Sequence, residues 1–225
     1  MTRIKICGVT TLDNALACAE AGADLLGFNF YARSPRYLTP DAARDLVNGL
    51  RAALGERCPL LVGVFVNASA EEIAGVIAAA GLDAAQLSGD EPPETLRALD
   101  GRGIEALRPR DPAEAETLAL GYAPHAPRDE RLPELLVDAY HPDLYGGTGE
   151  AASVDVAQAV MARVSRLMLA GGLAPENVGE RVRALRPWGV DVASGVENGA
   201  PGVKDLARVR AFVAAVRAAD AEAGV

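Results

Sequence analysis

The sequence predicts an α/β protein of one domain, residues 1–225, folded as a single (β/α)8 TIM barrel. Three observations predict it. Short apolar or β-branched runs alternate with longer segments of helical spacing, and eight such pairs fit into 225 residues. No GxGxxG follows the first strand, which argues against an open doubly wound sheet. Half of the residues are apolar and 24% are charged, the balance of a globular chain able to bury a sizeable core.

Candidate strands begin at Arg3, Ala23, Leu60, Asp83, Gly103, Leu135, Arg166 and Gly189. Candidate helices follow near 11–21, 40–54, 70–80, 92–99, 112–120, 153–163, 175–186 and 204–218. Three helices show a clear apolar stripe: Leu46, Val47, Leu50 and Leu54; Val178, Val182 and Leu185; Leu206, Val209, Val213 and Val216. Ser69-x-x-Glu72 reads as a capping box, and Thr39-Pro40 as an N-cap followed by proline at the first helical position. Ala174-Pro175-Glu176 opens a helix in the same way. The stretch 121–134, rich in proline and charge, reads as an irregular loop.

Composition narrows the function. A net charge of −9 disfavours nucleic acid and anionic membranes as partners. No apolar run approaches the roughly 18 residues that cross a bilayer. The first residues lack the apolar core of a secretory signal, so a cytoplasmic location is expected. The cysteines are Cys7, Cys18 and Cys58, a sparse odd set without metal-ligand spacing; Cys18 and Cys58 read as small core residues. His125 and His141 fall in loops. No metal site is expected.

A barrel of this kind builds its active site at the C-terminal ends of its strands. Polar or glycine residues stand at all eight ends: Cys7, Arg33 and Arg36, Asn67, Gln86, Arg108, Asp138, Gly171-Gly172 and Ser194-Gly195. Alternation along strand one puts Arg3, Lys5 and Cys7 on one face and Ile4 and Ile6 on the other. The isoleucines then meet the helices, and Lys5 and Cys7 point into the barrel mouth. An inward Lys5 requires an anion such as Asp138, Asp191 or a ligand, and it favours the thiolate of Cys7. Glycine turns after strands seven and eight suit a phosphate. Gly146-Gly147-Thr148-Gly149 reads as a plain turn or a loop that closes over substrate.

At these residues the sequence resembles the phosphoribosylanthranilate isomerase family. The matching motifs are Lys5-Ile6-Cys7-Gly8-Val9-Thr10, Gly27-Phe28-Asn29-Phe30, Arg33-Ser34-Pro35-Arg36 and Val62-Gly63-Val64-Phe65-Val66-Asn67. They continue in order through Gln86-Leu87, Asp138, Gly146-Gly147-Thr148-Gly149, Leu169-Ala170-Gly171-Gly172-Leu173, Gly189-Val190-Asp191-Val192 and Ser194-Gly195-Val196-Glu197. The resemblance implies an Amadori rearrangement of a phosphoribosyl substrate in tryptophan biosynthesis, without a cofactor. It implies that Asp138 is the general acid and Cys7 the general base. Arg36 would take the anthranilate carboxylate, and Gly171, Gly172, Ser194 and Gly195 the phosphate. Asp191 and Lys5 would line the substrate pocket. These roles need a carboxyl pKa raised by shielding and a thiol pKa lowered by Lys5.

The chain departs from the family at two places. Ser88 stands where the family has histidine after Gln-Leu, and Ala193 where it has the first of two serines. Two rival readings therefore stay open: another sugar-phosphate isomerase, and a non-catalytic phosphosugar-binding barrel. A monomer and a homodimer are equally compatible with the sequence.

Overall fold

The computed structural model describes residues 1–138 and 153–224. Its strands are β1 Arg3–Ile6, β2 Leu25–Asn29, β3 Leu60–Phe65, β4 Ala84–Leu87, β5 Gly103–Leu107, β6 Leu135–Val137, β7 Leu167–Leu169 and β8 Gly189–Val192. They pair in parallel and in chain order, and the sheet closes on itself. At the closure Arg3 lies opposite Gly189 and Ile6 opposite Val192. The helices are α1 Leu12–Ala21, α2 Pro40–Leu54, α3 Ala70–Ala80, α4 Pro93–Ala98, α5 Pro112–Tyr122, α6 Val154–Met161, α7 Val178–Leu185 and α8 Leu206–Glu222. This is the (β/α)8 barrel that the repeat pattern predicts.

Local chemistry starts the helices where expected. The Thr39 hydroxyl accepts from the Ala42 N–H, with Pro40 opening α2. Ser69 and Glu72 satisfy each other's backbone at the start of α3 in a full capping box.

Two expectations are corrected. Pro175 does not open α7, which begins at Val178. Asn177 accepts from the Ala174 N–H and donates to the Gly172 carbonyl, both at 2.8 Å. Those bonds hold residues 174–177 as a turn in competition with a helical one. The stretch 121–134 is also less irregular than its composition suggests. α5 runs on to Tyr122, and a 3-10 turn, Ala123–His125, follows. The Tyr122 hydroxyl donates to the Glu91 carbonyl at 2.7 Å, a tertiary anchor that composition does not reveal.

The core has two shells. Inside the barrel, Leu25, Val62, Ala84, Ile104, Leu136 and Met168 pack together, with Trp188 partly buried against them. Outside it, Ile4 and Ile6 join Ala15 and Cys18 of α1 and Val209, Phe212 and Val216 of α8. Strand one therefore alternates as read, with its isoleucines toward the helices.

The outer side of β5 carries an exception. Glu105 is 3% exposed, and its Oε2 has no hydrogen-bond partner among the described residues. Burial, reinforced by Glu91 and Asp90 against the opposing Arg108, pushes its carboxyl up to about 9. Glu105 is therefore a neutral acid at pH 7.

Candidate active site at the barrel mouth

The C-terminal mouth forms one pocket in which Cys7, Arg36, Asp138 and Asp191 of the expected site residues meet. Cys7 and Gly8 after β1, Asn29 at the end of β2, Arg33 and Arg36 after it, Gln86 of β4 and Ser88 just past it, Arg108, Asp138 after β6, and Asp191 line it. A second recess adjoins it, bounded by Gly171, Gly172, Leu173 and Ser194. Asp138, Asp191 and Ala193 border both, so a ligand can span them.

Lys5 lies beneath this mouth rather than on its wall. It is 1% exposed and donates to Asp191 Oδ1 at 3.0 Å. Burial opposes its charge, yet Asp191 and Cys7 together hold the ammonium above its ordinary range. Gly27 makes room for this packing: a Cβ there would come within 2.8 Å of Cys7 Sγ and 3.2 Å of Lys5 Nζ. No local pattern in Gly27-Phe28-Asn29-Phe30 signals that role for Gly27.

The expected depression of the Cys7 pKa is corrected. Burial raises it, and Asp191 adds to the rise; Lys5 and Lys204 pull the other way without prevailing. Cys7 is a thiol at rest, with a cation beside it that favours the thiolate once a proton leaves. Lys5→Met should push the Cys7 pKa higher still. The check is the pH dependence of Cys7 alkylation, whose midpoint should lie above 9.0 in the parent chain and higher in the variant. An unchanged midpoint would detach Lys5 from Cys7.

Arg36 reaches the mouth across Gly8. Gly8 has φ +71, and a Cβ on it would lie 2.3 Å from Arg36 Cδ, so only glycine suits this position. The guanidinium donates through Nε and Nη2 to the two carboxylate oxygens of Glu197, each at 2.7 Å. Glu197 Oε1 also accepts from Lys204 Nζ at 3.0 Å and from the Gly202 N–H at 2.9 Å. Burial alone would raise the Glu197 carboxyl, but these donors hold it below its ordinary range. In the sequence Glu197 closes the motif Ser194-Gly195-Val196-Glu197, and no local signal there points to Arg36 or Lys204.

The phosphate candidates separate into two kinds. Gly171 and Gly172 have φ +83 and +55, and their N–H groups donate to no acceptor among the described residues. Together with Ser194 they line the second recess. Gly195 sits behind it. A Cβ there would fall 1.9 Å from the Leu173 carbonyl oxygen, so its absence lets the two loops touch.

Asn67 is not among the described residues that line this pocket. Its N–H donates to Glu91 and its side-chain oxygen accepts from the Asp90 N–H, which ties it to the loop after β4. At the two departures, Ser88 accepts from Gln86 Nε2 at 3.0 Å, and the Ala193 carbonyl accepts from Lys204 at 3.1 Å. Gly146-Gly147-Thr148-Gly149 and His141 lie outside the described residues. Among the described residues, no group of three or more His, Cys, Asp or Glu side chains is gathered to hold a metal ion.

Residues 4–215 match the family model of N-(5'-phosphoribosyl)anthranilate (PRA) isomerase. The chain belongs to that family. An N-(5'-phosphoribosyl)anthranilate isomerase from Geobacter sulfurreducens is 43% identical over 95% of this chain and 97% of its own. The phosphoribosyl anthranilate isomerase of Thermus thermophilus superposes with a TM-score of 0.80 at 39% identity, over 96% of this chain and 99% of that one. A third isomerase, 34% identical over 97% of this chain and all of its own, gives a TM-score of 0.79. It was solved in complex with reduced 1-(o-carboxyphenylamino)-1-deoxyribulose 5-phosphate. As a phosphoribosylanthranilate isomerase family member, this chain keeps Cys7 and Asp138 in one mouth despite Ser88 and Ala193.

Proposed function

We propose that the chain, acting as one catalytic domain, performs the Amadori rearrangement of N-(5'-phosphoribosyl)anthranilate to 1-(o-carboxyphenylamino)-1-deoxyribulose 5-phosphate in tryptophan biosynthesis. The observation that carries this reading is a thiol and a carboxyl, Cys7 and Asp138, lining one mouth that continues into a glycine-lined recess. The substrate phosphate sits in the recess against the Gly171 and Gly172 N–H groups and Ser194. Backbone N–H groups bind a phosphate well at such barrel positions. Its anthranilate end lies toward Arg36.

Asp138 gives a proton to the ribose ring oxygen, and the C1–O bond breaks to leave an open-chain iminium. The thiolate form of Cys7, left when its proton passes to solvent and held beside Lys5, accepts the proton from C2, and the electron pair of that C–H bond neutralises the iminium nitrogen. The resulting enolamine tautomerises to the ketone. Lys5 steadies the thiolate, and Asp191 holds Lys5 in place. Each positioned proton transfer contributes roughly 10²–10⁴-fold. The reaction only redistributes protons and electrons within the substrate.

Anthranilate fluorescence should decay when purified protein is added to fresh phosphoribosylanthranilate. A stable signal with tight binding of the reduced product analogue would instead identify a non-catalytic phosphosugar-binding barrel. Arg36→Ala should raise KM on the order of tenfold or more while kcat falls far less, as expected when a bound carboxylate loses its partner. An unchanged KM would place the carboxylate elsewhere. No helix among the described residues is long and apolar enough to cross a membrane. We read the protein as a cytoplasmic enzyme, a monomer or a homodimer, whose partner is its small phosphoribosyl substrate.

A further inference from the structure

Arg36 and Glu197 are 161 residues apart in sequence, yet their side chains meet in the mouth. A guanidinium offers two planar donor edges: one through Nε and Nη2, the other through Nη1 and Nη2. Glu197 occupies the first edge completely, with both of its oxygens at 2.7 Å. Among the described residues Nη1 donates to no acceptor, so the second edge stays available. The Glu197 side chain is only 5% exposed, and its carboxylate is pinned from behind by Lys204 and the Gly202 N–H. The hairpin that carries it is also tied down. Glu197 bridges to Lys204, and Thr10 donates to the Gly202 carbonyl at 2.8 Å.

We propose that Glu197 is a positioning residue: by filling one edge of Arg36, it aims the other edge at the planar carboxylate of the substrate. Lys204 completes the device through charge. Arg36 and Glu197 alone would cancel, which would leave little attraction for an anion. Burial lowers the Lys204 pKa against the pull of Glu197, and while its ammonium is protonated the cluster carries one net positive charge, so Arg36 stays attractive to a carboxylate while its orientation is held. Holding a recognition group in its bound geometry reduces the ordering cost of binding.

The inference rests on Arg36 as the carboxylate contact, and the experiment separates the two. Binding of the reduced arylamino-deoxyribitol phosphate is compared with that of its counterpart lacking the ortho-carboxylate. The proteins are the parent chain, Glu197→Gln, Arg36→Ala and the double variant. Glu197→Gln leaves the cluster one charge more positive, yet it should cut the preference for the carboxylated ligand by roughly tenfold, through weaker binding of that ligand alone, because the lost aim of Arg36 outweighs the added attraction. KM should rise more than kcat falls, and Glu197→Gln should add nothing once Arg36 is alanine. Equal weakening of both ligands, or a full effect retained in the Arg36→Ala background, overturns the proposal. If Arg36→Ala leaves the preference intact, the carboxylate reading of Arg36 itself fails and the proposal with it. Glu197→Asp keeps the charge and shortens the reach, so the preference must fall there too. It supplies the same comparison should the glutamine variant not fold.

Discussion

Cys7→Ala is expected to lower kcat/KM by roughly 10²–10⁴-fold, and Asp138→Asn by a similar factor, while both proteins keep their fold. Cys7 stands immediately past β1 and Asp138 immediately past β6, so neither side chain contributes to the strand ladders. The backbone anchors are untouched: the Cys7 N–H donates to the Val192 carbonyl, and the Asp138 N–H to the Leu107 carbonyl. Removing either group leaves its half of the proton traffic to water. Since the two act in sequence on one substrate, the double variant should lose much less than the product of the single losses. Anthranilate fluorescence decay gives the rates, and far-ultraviolet circular dichroism verifies the fold. A Cys7→Ala protein with near-normal kcat would remove the thiol from its assigned role.

Glu105→Gln should have the second large effect, on stability. In the folded protein the Glu105 carboxyl titrates at about 9, whereas in the unfolded chain it returns to about 4.5. Between those values the folded state holds a proton that the unfolded state has released. Stability is therefore fully present below about pH 4.5 and is lost as pH rises toward 9. At 1.36 kcal/mol per unit, the loss between pH 4.5 and 7 is about 3 kcal/mol. Glutamine has nearly the same shape and never ionises. The variant should thus gain on the parent chain by up to about 3 kcal/mol at pH 7. That advantage should shrink toward zero near pH 4. Urea unfolding at both pH values measures it, and a pH-independent difference would show that Glu105 does not titrate in this window.

Much of the site was readable before any coordinate. Strict alternation in β1 separates Lys5 and Cys7 from Ile4 and Ile6, because a strand that faces helices on one side must turn every second residue inward. Asp138 and Gly171-Gly172 follow short apolar strands, and that position alone brings them to one end of the barrel. Asn67 follows an apolar strand as well, but its left-handed backbone, φ +55, turns it toward the loop after β4. Chain position therefore identifies an end of the barrel and leaves the side-chain direction open. Glu105 carried a usable signal, a carboxylate in the middle of Gly103-Ile104-Glu105-Ala106-Leu107. Alternation places it outward, toward the helices, where ionising it is costly.

The order of eight βα units, the inward face of β1 and the family membership follow from local pattern and motif, which are properties of neighbouring residues. The protonation of Cys7, the place of Lys5 beneath the mouth and the Arg36–Glu197–Lys204 cluster follow only from the closed barrel. The first depends on how far desolvation outweighs a single nearby cation, and burial is a property of the whole assembly. The last joins residues 161 positions apart, whose encounter exists only once β8 has returned to β1 and Glu197 after it meets Arg36 in the loop after β2. Electrostatic strength and side-chain aim depend on distance through space, and distance along the chain does not report it.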